Sequence, residues 1–118
     1  MDARTAVGRY GEDVAVRYLE DLGYRIVDRN WRCRAGELDI VAVDVECLVV
    51  CEVKTRRSER FGPPQAAVTP VKLARLRRLT AMWLAQQDVS WPSVRLDVVA
   101  VRRGEAGPAT VEHLKAVG

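Results

Sequence analysis

Two acidic residues and a lysine stand in neighbouring apolar segments of the sequence. Asp39 lies within the segment 37–44, and Glu52 and Lys54 lie within the segment 47–55. Both segments are rich in Val, Leu and Ile, which is typical of β-strands, and the two residues between them predict the tip of a hairpin. Because side chains alternate across a strand, a hairpin of this length brings the three polar side chains to one end of a shared face.

The predicted register of the hairpin places the two carboxylates opposite each other. A loop of two residues and a loop of four residues give the same pairing, in which Asp39 faces Glu52. Four apolar residues share that face, namely Val41, Val43, Leu48 and Val50. Like charges directly opposite each other are destabilising, and a partly buried carboxylate is costly unless it is paired or bound to a metal. We therefore expect a positive group between the two acids.

Two interpretations account for such a positive group, and spacing alone does not decide between them. In the first, both carboxylates, a main-chain carbonyl, water and substrate phosphate oxygens hold Mg²⁺ or Mn²⁺, because hard cations prefer oxygen ligands. The metal would polarise the phosphate and make a bound water easier to deprotonate, while Lys54 positions that water and offsets charge on the phosphate. In the second, Lys54 faces Glu37 and forms only a surface ion pair, which contributes ~0 to 1 kcal/mol and explains two facing acids poorly.

The rest of the pattern predicts an α/β chain with the element order α-β-β-β-α-β-β. Helices are predicted over 6–22 and about 70–87, and strands over 24–32, 37–44, 47–55, 94–102 and 110–114. Apolar residues at helical spacing define the first helix, and Gly23 is a natural end for it. Residues 28–30 are candidates for a turn or bulge. Thr69 and Pro70 predict the N-cap and the first turn of the second helix.

Composition favours one small domain, residues 1–118, with 48% hydrophobic and 30% charged residues. No apolar run approaches the roughly 18 residues that span a bilayer, and the N-terminus lacks the apolar stretch of a signal peptide, so we expect a cytoplasmic protein without a membrane partner. The three cysteines include no CxxC pair, which favours ordinary thiols over a disulfide framework or a zinc ribbon. The net charge of +3 is compatible with a polyanionic partner.

Five segments of the sequence resemble the YraN family of small bacterial proteins, and the resemblance covers nearly the whole chain. The segments are Gly8-Arg9-Tyr10-Gly11-Glu12, Asn30-Trp31-Arg32-Cys33-Arg34, Gly36-Glu37-Leu38-Asp39, Glu52-Val53-Lys54-Thr55-Arg56 and Arg95-Leu96-Asp97-Val98-Val99. The family is similar to archaeal Holliday-junction resolvases within the PD-(D/E)XK nuclease superfamily, whose D...ExK signature Asp39, Glu52 and Lys54 match. The resemblance implies a restriction-endonuclease-like fold, with an αβββαβ core and a mixed central sheet flanked by helices.

The resemblance also implies metal-dependent hydrolysis of phosphodiester bonds in nucleic acid, but it does not establish the substrate. Our leading hypothesis is an endonuclease that acts on structured or branched DNA in recombination or repair. The resemblance implies catalytic roles for Asp39, Glu52 and Lys54, with Mg²⁺ or Mn²⁺ as the cofactor. Glu12 is a further catalytic and metal-binding candidate, because related resolvases present a glutamate of the first helix to the metal. A homodimer would suit an enzyme that cuts two strands symmetrically. The alternative is a non-catalytic nucleic-acid-binding or adaptor module that retains the fold, and a nuclease that acts on RNA is a third interpretation.

Two groups of basic residues are candidates for contacts with nucleic-acid phosphates. They are Arg56, Arg57 and Arg60 beyond the third strand, and Lys72, Arg75 and Arg78 on the second helix. The first group directly follows the ExK segment in a predicted loop, where cations can contact phosphates beside the site. Both groups are also typical of solvated surfaces. Trp31, beside several arginines, could stack on an unpaired base but is more typical of a core residue, and His113 is too isolated in the sequence to support a catalytic role.

Overall fold

The computed structural model describes residues 3–56, 63, 66, 68–103 and 107–118, with side chains from residue 8 onward. Seven elements follow one another in the predicted order. They are α1 (Ala3–Asp21), β1 (Arg25–Cys33), β2 (Gly36–Asp44), β3 (Cys47–Arg56), α2 (Pro70–Ala85), β4 (Ser93–Arg102) and β5 (Thr110–Leu114). Every predicted helix and strand is therefore present, with bounds that differ from the prediction by a few residues.

The five strands form one mixed sheet in the order β1-β2-β3-β4-β5. All neighbouring pairs are antiparallel except β3 and β4, which run parallel. A parallel pair needs a crossover connection, and α2 lies within the segment that joins β3 to β4. The result is the predicted α/β architecture, a mixed sheet flanked by two helices, and it is compatible with a restriction-endonuclease-like core. Neither helix combines the length and the apolar character that crossing a bilayer would need.

Apolar side chains on both faces of the sheet fix the two helices. On one face, Ala15 and Leu19 of α1 pack on a cluster that includes Ile40, Ala42, Val49 and Cys51. On the other face, Leu76, Leu79 and Trp83 of α2 pack on Val41, Val43, Leu48, Val50 and Leu96. Successive residues of β2 and β3 thus alternate between two cores, which explains why these strands are almost continuously apolar. Trp83 is buried and belongs to the core, whereas Trp31 is half-buried and packs against the α2 cluster.

The predicted ends of the helices have the expected geometry. Gly23 follows α1 with a φ of +93°, a left-handed conformation that glycine adopts at little cost. The hydroxyl oxygen of Thr69 accepts a hydrogen bond from the N–H of Lys72 at 3.2 Å, and Pro70 begins α2. β1 has a register shift between Ile26 and Asp28, close to the predicted bulge.

A buried carboxylate on β4 ties together the far edge of the sheet. Asp97, which is fully buried, accepts hydrogen bonds from Nε and Nη2 of Arg95 at 2.9 and 3.0 Å. It also lies 2.7 Å from Nε2 of His113 on β5 and accepts from the N–H of Ala116 at 2.9 Å. Arg95 in turn donates to the hydroxyl of Tyr24 at 2.8 Å. His113, which looks isolated in the sequence, is therefore part of a buried polar network.

We predict that Asp97→Asn weakens this edge of the sheet. Burial alone would raise the pKa of Asp97, but hydrogen bonds from Arg95, Ala116 and His113 leave it below its ordinary value of 3.8. The carboxylate therefore stabilises the fold above about pH 4, and this contribution is lost as the pH falls further. In urea denaturation at pH 7, Asp97→Asn should lower the free energy of unfolding by about 3 kcal/mol. The exposed Asp88→Asn variant is the control, and equal losses in the two variants would contradict the prediction.

Candidate functional site

Asp39 lies where the regular pairing of β2 with β3 ends. The last paired residues are Ile40 and Cys51, and the next position of the register would hold Asp39 and Glu52. A continued ladder would direct the N–H of Val53 at a main-chain carbonyl of β2. Instead, this N–H donates to Oδ2 of Asp39 at 2.8 Å. The Asp39 side chain thus replaces a main-chain acceptor in the seam between the two strands.

The alternation of side chains along β2 also breaks at Asp39, which corrects the prediction of one regular strip. Val41 and Val43 pack against α2 and Ile40 packs against α1, as alternation requires. Leu38, however, also belongs to the α2 cluster, so the strict two-residue period does not continue through Asp39. The apolar part of the predicted face is therefore confirmed, but its acidic end departs from the regular strand geometry.

The backbone of β1 is also irregular, at Asn30, directly opposite the irregularity at Asp39. Asn30 lies between Arg29, which pairs with Ile40, and Trp31, which pairs with Leu38, so it stands opposite Asp39. Its φ is +53°, a left-handed conformation that asparagine tolerates better than most residues. The sequence indicates a turn or bulge over 28–30, but it does not reveal that this irregularity faces the acidic residue of the next strand.

Burial and neighbouring acids make the carboxylate of Asp39 costly to ionise. Burial has the largest effect and repulsion by Glu52 the next, and together they raise the pKa of Asp39 to about 7. The hydrogen bond from Val53 lowers this pKa, while Glu12 and Glu37 add to the repulsion. The electrostatic conflict predicted for Asp39 and Glu52 is therefore present, although regular strand pairing stops before them.

Lys54 turns toward Glu52, one of the two acids. Its Nζ lies 3.6 Å from Oε1 of Glu52, and the two side chains are 29% and 22% exposed. Glu37, the partner predicted for Lys54 by the ion-pair interpretation, instead pairs with Nε of Arg32 at 2.6 Å. The ammonium group thus offsets charge on Glu52, one of the two acids.

Glu12 of α1 lies close enough to Asp39 to interact with it electrostatically. In the amide orientation that satisfies both side chains, the nitrogen of Asn30 donates to Oε1 and Oε2 of Glu12 at 2.6 and 3.0 Å. Burial raises the pKa of Glu12, Arg29 opposes the rise, and Glu37 reinforces it. Asn30 is thus a positioning residue that sequence analysis missed, because its role depends on an irregular backbone.

A close approach of α1 to β3 places Glu12 near the sheet. A Cβ atom added at Gly11 would lie 1.7 Å from Oγ1 of Thr55, so only glycine fits this position without a shift of the strand. Glycine inside a helix costs stability and usually has a packing reason. The glycine before Glu12 is therefore the sequence signal for this contact.

The donor atoms suit a hard divalent cation, but the protein supplies few of them. Within the described part of the chain, no three Asp, Glu, His or Cys side chains form a group that could hold a metal. Asp39 and Glu52 form a pair of carboxylates, and Glu12 interacts with Asp39 electrostatically without completing a ligand triad. Because Mg²⁺ keeps several waters and often binds through one or two carboxylates plus substrate phosphates, two acids are sufficient. Burial raises the pKa of the Cys51 thiol, which agrees with an inert cysteine.

The candidate phosphate-binding residues lie on two sides of the acids. Arg56 ends β3, whereas Arg57 and Arg60 lie outside the described residues. Lys72 and Arg75 of α2 line a small cavity together with Glu52, and Arg78 is exposed farther along the same helix. The sequence placed these cations on a helix face, and the fold brings the first two beside the candidate site.

Comparisons with known proteins identify one family. The model of the uncharacterised protein family UPF0102 matches residues 11–101. Among the similar proteins, a UPF0102 protein of Kineococcus radiotolerans is 63% identical over 116 residues, which cover 98% of this chain and 95% of the relative. Another, from Beutenbergia cavernae, is 60% identical over 118 residues, with both chains covered completely. A third, from Mycolicibacterium gilvum, is 54% identical over 119 residues, which cover 99% of this chain and 97% of the relative.

We predict that Asp39→Asn stabilises the fold at alkaline pH. An acid whose pKa rises from 3.8 to about 7 on folding favours the folded state at low pH, and this advantage is lost as the pH rises to 7. Asparagine cannot ionise, and its carbonyl oxygen can still accept the bond from Val53. With EDTA at pH 8, the Tm should rise by at least about 4 °C, roughly 1 kcal/mol for a domain of this size.

The same substitution should change the Tm little at pH 4, where the aspartate is protonated in the folded state. Asp21→Asn, at the exposed end of α1, is the matched control and should change little at either pH. A Tm for Asp39→Asn at pH 8 that equals the wild-type value would contradict the electrostatic conflict described above.

Proposed function

The chain belongs to the uncharacterised protein family UPF0102, and we propose that it is a metal-dependent endonuclease that cuts structured or branched DNA. The family name states no activity, so the proposal rests on the site. Its main support is the meeting of two partly buried carboxylates, Asp39 and Glu52, with the ammonium group of Lys54. This is the arrangement that the resemblance to PD-(D/E)XK nucleases leads us to expect.

Each residue of the site has a distinct chemical role in this proposal. Asp39 and Glu52 would hold Mg²⁺ or Mn²⁺ through their carboxylate oxygens, and a cation bound there would supply Lewis-acid polarisation of the phosphate and a more acidic water. Lys54 directs its three N–H donors from Nζ at the attacking water and at the phosphate oxygens, where negative charge develops. Glu12, held by Asn30, adds negative charge that favours the cation.

Basic residues on α2 support nucleic acid as the substrate. The helix carries Lys72, Arg75, Arg77 and Arg78 and no acidic residue. Lys72 and Arg75 lie beside Glu52, so they are placed to contact a phosphate next to the reacting bond. Phosphate contacts fix the position of a strand and carry no sequence information. We therefore propose selectivity for the structure of the DNA, and a homodimer would allow cuts in two strands.

A non-catalytic nucleic-acid-binding module is the second candidate. It is favoured by the lack of a three-ligand group among the described residues, since an enzyme that loses its metal can keep its basic surface. The conflict between Asp39 and Glu52 argues against it. Two acids beside a phosphate-binding surface repel the ligand unless a cation lies between them, so a pure binding module would gain from losing them.

We predict that Mn²⁺ and Mg²⁺ bind weakly to the wild-type protein and that Asp39→Asn removes this binding. The substitution replaces an anionic ligand with a neutral amide while keeping the size of the side chain. Isothermal titration calorimetry at pH 7.5 measures the effect, with Asp21→Asn as a control that retains binding. Equal heats and affinities for wild type and Asp39→Asn would exclude the proposed metal site.

A separate prediction addresses catalysis: Lys54→Ala should remove cleavage while DNA binding remains. Loss of a group that stabilises developing charge costs ~10²- to 10³-fold in rate. The substrates should include branched, flapped, single-stranded and duplex DNA, each with Mn²⁺. Lys115→Ala, at an exposed lysine, is purified in the same way and should cleave like wild type, which shows that loss of cleavage in Lys54→Ala does not come from removing any lysine.

The nuclease proposal fails if the wild-type protein cleaves none of these substrates, or if Lys54→Ala cleaves as fast as wild type. In either case, retained DNA binding would favour the second candidate, a non-catalytic nucleic-acid-binding module. RNA versions of the same branched and single-stranded substrates belong in the assay, because cleavage of RNA alone would identify RNA rather than DNA as the substrate.

A further inference from the structure

A groove opens on the sheet next to Lys54, across the ends of three strands. The cavity has a volume of about 380 Å³, and Arg56, Ala100, Arg102, Thr110 and Glu112 contribute to its walls. None of these residues belongs to the acidic site. We call this cavity the β4–β5 groove.

Strand register makes the groove continuous with the candidate site. On β3, Glu52, Lys54 and Arg56 point to the same face because side chains alternate. In the parallel register, Lys54 pairs with Ala100 and Arg56 pairs with Arg102. The groove therefore begins at Arg56, two residues beyond Lys54 on β3, and extends across β4 to β5.

The guanidinium groups of the groove can donate hydrogen bonds to a phosphate group. Arg56 and Arg102 occupy neighbouring positions on adjacent strands, whereas Glu112 contributes one carboxylate. Each guanidinium has five N–H donors in a planar fork, so it can hold a phosphate in addition to protein contacts. Thr110, which pairs with Arg102, adds a hydroxyl at the exposed rim.

The dimensions of the groove indicate which part of a nucleic acid it admits. A volume of about 380 Å³ lies at the lower end of the range for small-molecule pockets, which is roughly 300 to 1,000 Å³, so it suits about one nucleotide and excludes a duplex. Arg56 lies two residues beyond Lys54, or about 7 Å along the strand, a separation that successive phosphates of one extended strand can match. Among the described residues, no aromatic side chain lines the cavity, so these walls offer no stacking platform for bases.

We propose that the β4–β5 groove binds the backbone of a single-stranded DNA arm, one nucleotide away from the bond at Lys54. The position relative to the cut bond rests on the proposed nuclease function. The binding of a single strand does not depend on catalysis. The substrate class is therefore DNA in which a single-stranded arm leaves a duplex, and the groove holds the arm through its phosphates without reading its sequence.

The test measures binding by fluorescence anisotropy with EDTA, which prevents metal-dependent cleavage. The probes are a labelled flapped DNA with a single-stranded arm and a blunt duplex of equal length. Arg102→Ala should weaken binding of the flapped DNA at least fivefold and reduce its salt slope by about one counterion, with less than a twofold effect on the duplex. Arg17→Ala, at an exposed position of α1, is the matched control and should leave both affinities unchanged.

A second variant guards against an indirect effect of Arg102→Ala on folding. Thr110→Glu adds a carboxylate at an exposed position of the groove and should weaken binding of the flapped DNA in the same selective way. The inference is overturned if both variants bind the flapped DNA like wild type, or if flapped and duplex DNA lose affinity equally.

The readout separates this inference from the nuclease proposal. Selective loss of flap binding without any wild-type cleavage would support the groove and reject the enzyme. Wild-type cleavage with unchanged binding by both variants would reject the groove and keep the enzyme. A wild-type protein that binds neither probe would reject the groove, and the cleavage assay alone would then decide the nuclease proposal.

Discussion

The candidate site depends on one hydrogen bond, from the N–H of Val53 to the carboxylate of Asp39 at 2.8 Å. This bond takes the place of a main-chain contact where β2 and β3 stop pairing, and it holds a carboxylate inside the sheet beside Glu52. Burial and repulsion then raise the pKa of Asp39 to about 7. One N–H and the ammonium of Lys54 do not relieve this conflict, so the protein maintains an electrostatic cost that a divalent cation would remove.

The rest of the fold keeps this costly arrangement in place. The two apolar cores hold β2 and β3 between α1 and α2, and Gly11 lets α1 approach Thr55 closely enough to bring Glu12 near the acids. At the far edge, Asp97 connects β4 to His113 and to the segment after β5. That connection fixes the strands that border Lys54 and form the β4–β5 groove. The stability contributed by the two cores and by the hydrogen bonds of Asp97 thus compensates for the electrostatic cost of burying Asp39.

Local patterns were enough to predict the order of the elements and the apolar part of the hairpin face. Two-residue and helical periods are read from neighbours in the sequence, and the short link after Asp44 fixes the register of β2 with β3. The irregular part could not be predicted. The left-handed backbone at Asn30 and the broken alternation at Asp39 lie opposite each other on two strands. The hydrogen bond between His113 and Tyr18 joins residues 95 positions apart in the chain. The cleavage of nucleic acid stays a prediction, since the family name carries no activity.

The most direct test of the account is X-ray diffraction from crystals soaked in Mn²⁺, with data collected for anomalous scattering. The account predicts an anomalous peak between the carboxylates of Asp39 and Glu52 in the wild-type protein, and loss of that peak in Asp39→Asn crystals soaked in the same way. A wild-type map with no peak at these two residues, at a concentration that labels other carboxylates, would contradict the claim that their conflict exists to hold a metal ion.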